Sequence, residues 1–257
     1  MEEKKISING LETNYKIAGE GPAVLILHGW GGSSDSWLSV QKILSKNGFK
    51  VVVPDLPGFG KSLTPKEPWQ VSDFVNWAKS FIDSLNLNDF YLIAHSFGGQ
   101  VAVKFTVLYP ERVKKIVFCA SAAIRPRPGL KTRIIFFIAK TGNAIFSPRY
   151  LVRLKDAARN FLYTLLRHRD YVKANGTMRD TIKKILEEDL LSELPKIKKE
   201  TLIIWGSADK LVPIKHAYIY KEKIENSKME VFSSIGHSPH LEIPEKLAEV
   251  IIKFIKS

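Results

Sequence analysis

Apolar residues fall along this chain in two alternating rhythms. Short, nearly continuous runs occupy Val24–Leu27, Val51–Pro54, Phe90–Ala94, Val113–Ala120, Thr201–Trp205 and Glu230–Phe232. Between several of them lie longer stretches, Ser36–Asn47, Ser72–Asn86, Phe97–Tyr109 and Pro244–Lys256, whose apolar positions return every three or four residues. Continuous apolar runs suit strands buried on both faces, as in a parallel sheet covered by helices. The periodic stretches predict the covering helices. Two of them open on a serine, which suits a helix cap, and the last opens on a proline, which suits a first turn. Near the N-terminus, Ile6–Ile8 and Tyr15–Ala18 flank Asn9-Gly10, a signal for a hairpin. Strand–helix alternation of this kind predicts an α/β fold.

From about residue 124 to 195 the rhythm breaks. This part is basic, helix-like and rich in large apolar residues such as Ile134, Phe136, Phe137, Phe161 and Tyr163. It reads as an insertion between two strands, a cap over the strand ends where open α/β sheets bind ligands. Charge sharpens the contrast. Residues 122–200 carry 18 of the 39 Lys/Arg but only 8 of the 26 Asp/Glu, so ten of the thirteen net positive charges sit there. A solvated basic face is the plain reading; as partners it suits an acidic carrier protein or an anionic lipid surface, and nucleic acid is not expected.

Over the whole chain the composition is that of a soluble globular protein, with 45% hydrophobic and 25% charged residues. The apolar runs are too short to cross a bilayer, and MEEKKISING has no apolar core of a secretory signal, so a cytoplasmic location is expected. The single cysteine, Cys119, rules out an internal disulfide framework and reads as a buried, inert thiol.

The chemistry gathers at three loops. In Tyr91-Leu-Ile-Ala-His-Ser-Phe-Gly-Gly-Gln-Val-Ala102 a strand meets a helix at Ser96, and Ala94, Gly98 and Gly99 keep the junction free of bulk. That is the pattern of a nucleophile elbow, with Ala94 where glycine is usual. A serine hydroxyl needs a base to take its proton, and the base needs an orienting acid. Asp209 follows the run Thr201–Trp205, and His237 follows the run that ends at Phe232, each in a loop at a strand's end. A histidine base makes the rate rise from acid towards neutral pH, because a free imidazole titrates near about 6.5. Val24-Leu-Ile-Leu-His-Gly-Trp-Gly-Gly32 ends a further strand in a glycine-rich turn. The amides of Trp30 and Phe97 are the expected oxyanion donors, each worth roughly 3–4 kcal/mol to a transition state. His28 reads as a support for that turn, Asp55 as an anchor for Leu56–Gly60, and His95 and His240 as packing groups.

HGWGG at 28–32, DLPGFGKS at 55–62, AHSFGG at 94–99, GSADKLVP at 206–213 and GHSPHLEIP at 236–244 stand in the order and spacing of the α/β-hydrolase fold. The chain resembles that family over nearly its whole length, and within it the carboxylesterases, small lipases and pimeloyl-acyl-carrier methyl ester esterases. The resemblance implies a mostly parallel eight-stranded sheet flanked by helices. It implies a core of residues 1–121 and 201–257 and an inserted helical cap of 122–200. Some members carry the acid one strand earlier, but Ser121-Ala-Ala-Ile has no carboxylate, which leaves Asp209. Serine at 96 sets the chain apart from dehalogenases and epoxide hydrolases, which use aspartate. Ser238 stands where hydroxynitrile lyases have lysine, and where carbon–carbon bond hydrolases commonly have tryptophan. The expected activity is ester hydrolysis of a small-molecule substrate, with short to medium acyl chains, by Ser96, Asp209 and His237 and without metal or organic cofactor. Carbon–carbon hydrolysis and acyl transfer are the alternatives on the same residues. A catalytically idle binder with a basic docking cap is the alternative of another kind.

Overall fold

A computed structural model of the chain describes residues 1–125 and 176–257. Eight strands form one sheet: β1 (Glu2–Ile8), β2 (Leu11–Ala18), β3 (Ala23–Leu27), β4 (Lys50–Pro54), β5 (Phe90–His95), β6 (Val113–Cys119), β7 (Thr201–Gly206) and β8 (Ser227–Phe232). Their order across the sheet is β1-β2-β4-β3-β5-β6-β7-β8. β2 runs antiparallel to both β1 and β4, and every other pairing is parallel. The hairpin forms as read. Ile8 pairs with Leu11, and Asn9 and Gly10 take φ of +51° and +81°, the left-handed positions of a type I′ turn.

The described helices are α1 (Leu38–Lys46), α2 (Val71–Ser84), α3 (Phe97–Leu108), α4 (Gly176–Glu187), α5 (Lys215–Lys223), α6 (Pro239–Glu242) and α7 (Pro244–Lys256). Successive strand residues point to opposite faces, so each apolar run feeds two cores. Val24 and Ile26 of β3, Ile93 of β5 and Val117 of β6 pack with Val40 and Leu44 of α1 and with Leu247 and Ile251 of α7. Leu25 and Leu27, Leu92 and Ala94, and Ile116 and Phe118 pack with Phe74 of α2, Val101 of α3 and Tyr220 of α5 on the other side. Each such aliphatic side chain stabilises the fold by roughly 1.5–3 kcal/mol, and the central strands collect this on both faces.

Two helix starts differ from the sequence reading. Ser72 lies inside the first turn of α2, whose cap is Gln70; the Asp73 carboxylate accepts the Gln70 amide at 2.8 Å. Ser36 belongs to a short 3-10 turn, Ser34–Trp37, ahead of α1, and the fully buried Trp37 ring pins that turn to the core. Pro244 opens α7 as expected.

Of the expected cap, the structure describes 122–125 and 176–200. Met178, Ile182 and Ile185 of α4 are buried. The Trp69 amide donates to Thr181 Oγ1 at 3.0 Å, and Lys184 Nζ donates to the Pro68 carbonyl at 2.7 Å, so α4 rests on the segment before α2. The two ends of the insertion meet. Leu190 N donates to Ala123 O at 2.9 Å, and Arg125 Nη2 donates to Ile185 O at 2.9 Å. The rest of the expected cap, including Phe136, Phe161 and Tyr163, lies outside the described residues.

Candidate active site

Ser96 stands between β5 and α3 with φ +49° and ψ −114°, a backbone conformation that costs a non-glycine residue of order 1–3 kcal/mol. Neighbouring contacts hold it there. Ser96 N donates to Cys119 O at 3.2 Å, while Gly99 N and Ala122 N both donate to Ser96 O at 3.0 Å. The glycines after it are needed for space. A Cβ on Gly98 would lie 2.4 Å from the Leu27 carbonyl oxygen, and one on Gly99 would lie 1.9 Å from Ser121 Oγ. This close approach of α3 to the sheet lifts the Ser96 hydroxyl above the strand ends.

The three loops converge on that hydroxyl. His237 Nε2 lies 3.0 Å from Ser96 Oγ, and His237 Nδ1 lies 2.8 Å from Asp209 Oδ2. A carboxylate only accepts, so Nδ1 carries the ring proton and the Nε2 lone pair faces the serine. The other carboxylate oxygen is also occupied: Asp209 Oδ1 accepts the amides of Leu211 at 2.8 Å and Val212 at 2.9 Å. The Asp209 side chain has no exposed surface, whereas 15% of His237 stays exposed. The carboxylate is fixed, and the imidazole is reachable from solvent.

The glycine-rich turn after β3 closes on the same point. A Cβ on Gly29 would stand 3.1 Å from Ser96 Cβ. Phe97 is the first residue of α3, where amides have no partner within the helix and the helix dipole favours an anion. Among the described residues neither the Trp30 nor the Phe97 amide donates to a backbone carbonyl. The rings of these two residues meet edge to face at 5.5 Å, and Trp30 meets Phe59 at 4.8 Å, which lines the turn with apolar surface.

His28 supports that turn rather than the chemistry. The Leu56 amide donates to His28 Nε2 at 2.9 Å, so Nδ1 carries the proton and donates to Gly29 O at 2.7 Å. Burial pushes its pKa down to about 4, which keeps the ring neutral. Asp55 anchors the Leu56–Gly60 loop: Oδ1 accepts Ser34 N at 2.6 Å, and Oδ2 accepts Lys61 N and Asn14 Nδ2, both at 2.9 Å. Burial alone would raise that carboxyl, but the amides of Lys61 and Ser34, with Asn14, hold it below the usual range. Burial pushes the Cys119 thiol up, so it stays protonated, as expected of an inert residue.

His95 and His240 are packed as read. His240 stacks flat on Trp37 at 4.4 Å, and His95 lies 4.5 Å from His240 and 4.8 Å from His237, ring to ring. His95 also does more than pack: its Nε2 donates to the His237 carbonyl at 2.8 Å. Glu242, which the sequence reading passed over, touches the backbone on both sides of His237. The described residues hold no cluster of potential metal ligands, and none of their helices is long and apolar enough to cross a membrane.

Known proteins resemble this chain in structure or in sequence. An esterase from Exiguobacterium antarcticum superposes with a TM-score of 0.77 at 26% identity, over 100% of both chains. Monoacylglycerol lipase ABHD6 of Rattus norvegicus is 30% identical over 262 residues, 93% of this chain and 77% of that one. A 2-hydroxy-6-oxononadienedioate/2-hydroxy-6-oxononatrienedioate hydrolase of Pseudomonas putida is 26% identical over 268 residues, 95% and 92% of the two chains. Residues 22–244 match the family model described as alpha/beta hydrolase fold. That span runs from just before β3 to the first residue of α7 and takes in Ser96, Asp209 and His237, and the chain belongs to this hydrolase family.

Proposed function

We propose that this chain is a serine hydrolase that cleaves carboxylic esters through an acyl-enzyme, with Ser96 as nucleophile, His237 as base and Asp209 as orienting acid. The observation that carries the reading is the continuous line of hydrogen bonds from Asp209 Oδ2 through His237 to Ser96 Oγ. His237 Nε2 takes the hydroxyl proton as Oγ attacks the ester carbonyl, and Asp209 stabilises the imidazolium without itself taking a proton. The oxyanion develops towards the amides of Trp30 and Phe97. His237 then returns the proton to the departing alcohol. Water repeats the sequence and releases the acid. The aromatic lining from Trp30, Phe59 and Phe97 favours an apolar acyl chain.

Two measurements test this. A fluorophosphonate should leave one adduct, on Ser96, and p-nitrophenyl esters of rising acyl length should turn over fastest at short to medium chains. No adduct on Ser96 would return the chain to the idle-binder reading. The relative named as a 2-hydroxy-6-oxononadienedioate hydrolase supports a second reading, carbon–carbon bond hydrolysis on the same residues. It is favoured if a vinylogous 1,5-diketone is cleaved with a kcat/KM above that of every ester in the panel.

The division into a core and a basic cap, and the docking of an acidic carrier protein or anionic lipid on that cap, are part of the same proposal. Turnover of a partner-bound ester should fall as salt rises from about 0.05 to 0.5 M, where the Debye length shrinks well below 10 Å. Equal salt response of free and partner-bound esters removes the docking role.

A further inference from the structure

His237 stands in the irregular segment between β8 and α6, where no ladder of backbone bonds fixes it. A base misplaced by about 1 Å loses on the order of 100-fold in rate, so something must hold that segment. One carboxylate does so from both sides. Glu242 Oε2 accepts the Gly236 amide at 2.9 Å, and Oε1 accepts the Ser238 amide at 3.2 Å. These are the amides that flank the histidine. Between them the carbonyl of His237 itself accepts from His95 Nε2. A Cβ on Gly236 would lie 3.0 Å from Glu242 Oε1, so the glycine lets the carboxylate sit against the chain.

The platform that carries Glu242 is itself anchored. Glu242 N donates back to Ser238 O at 3.0 Å, and Ile243 N donates to Pro239 O at 2.9 Å. Pro239 and His240 of the same turn are buried, with His240 against Trp37. Glu242 is exposed, so its carboxylate reaches back over the loop from outside and fills no place in the core.

We infer that Glu242 is a positioning residue for the base: its carboxylate grips the amides of residues 236 and 238 and thereby sets His237 between Asp209 and Ser96. The inference rests on the serine-hydrolase reading above. It differs from a purely structural role in what it predicts. Binding of the ester does not need the base, so KM should hold while the chemical step slows.

The test compares wild type with Glu242→Ala and Glu242→Gln by ester kinetics, by the rate of fluorophosphonate labelling of Ser96, and by thermal unfolding. Glu242→Ala should lower kcat about 10- to 100-fold with KM within twofold, and labelling should slow by the same factor. The midpoint of unfolding should move by only a few degrees. Glutamine keeps one acceptor but turns an NH2 towards the second amide, so Glu242→Gln should fall between alanine and wild type. Equal labelling rates for wild type and Glu242→Ala overturn the inference. So does a raised KM with kcat unchanged, a rate loss that tracks the unfolded fraction, or a glutamine variant no better than alanine. If wild type takes up no label at all, the serine-hydrolase reading has failed instead, which is a separate outcome.

Discussion

Replacing Ser96 with alanine is expected to lower kcat towards esters by roughly 10⁶-fold, about 8 kcal/mol of barrier, with KM little changed. Alanine removes the attacking oxygen and nothing that shapes the turn, because the bonds that hold residue 96 run through its backbone amide and carbonyl. What survives is the contribution of the oxyanion amides and of substrate binding. Asp209→Asn is the more instructive partner. The side-chain oxygen of asparagine would keep the amides of Leu211 and Val212, the two donors now on Asp209 Oδ1. Its NH2 would then face His237 Nδ1, force that nitrogen to accept, and move the ring proton to Nε2. A protonated Nε2 cannot take the proton of Ser96. The fall should be roughly 10⁴-fold, with geometry and KM preserved. Steady-state kinetics on a p-nitrophenyl ester decide both. Asparagine at wild-type rates would remove Asp209 from its role, and an active Ser96→Ala would remove the acyl-enzyme.

These expectations come from residues that the bare sequence already marks, and the reason is physical. A nucleophile on a strained turn needs small neighbours, so Gly98 and Gly99 advertise Ser96. Asp209 and His237 are marked by position: Asp209 follows β7, an apolar run buried throughout, and His237 follows β8, of which only Val231 and Phe232 belong to the apolar end read from the sequence. The centre of the sheet was legible for a similar reason, since β3, β4, β5 and β7 are buried on both faces and read as apolar runs. β1 and β8 at the edges are largely polar and were read only at their apolar ends. What escaped was of a different kind. Glu242 acts through main-chain amides, which have no side-chain signature, so nothing in GHSPHLEIP separates it from any surface glutamate. α5, Lys215–Lys223, went unread because its lysines and aromatics show no clear apolar stripe, although His216, Ala217 and Tyr220 are buried. The cap of α2 went to Gln70 instead of Ser72, because the Asp73 carboxylate satisfies the amide of residue 70 and the helix starts two residues earlier. Strand order, with β4 between β2 and β3, depends on contacts far apart in the chain.

The second large effect concerns acid, and it arises behind the site. His28, His95 and His240 are all buried, and burial holds each of them neutral: His28 down to about 4, His240 down to about 3, and His95 well below the usual value. Around His240 and His95 the neighbouring histidines add to the effect, since a charge on one ring repels a charge on the next. In the unfolded chain each imidazole takes up a proton near pH 6.5. Between about 6.5 and 4 the unfolded state therefore binds more protons than the native state, so stability falls as pH falls. Each ring contributes about 1.4 kcal/mol per pH unit inside its window, and His28 alone adds up to roughly 3 kcal/mol by pH 4. Asp55 acts lower down: its carboxyl is held below the ordinary range, so its contribution is present above that range and is lost only as pH drops through the depressed value. Urea unfolding at pH 7, 6, 5 and 4 should show a loss that begins near 6 and steepens to several kcal/mol. In a His240→Phe variant, which keeps a ring against Trp37 but cannot take a proton, the slope should be shallower by about one proton. A stability that stays level from pH 7 to 5 would mean that these rings find a place for charge in the folded protein, and the buried stack behind Ser96 would have to be redrawn.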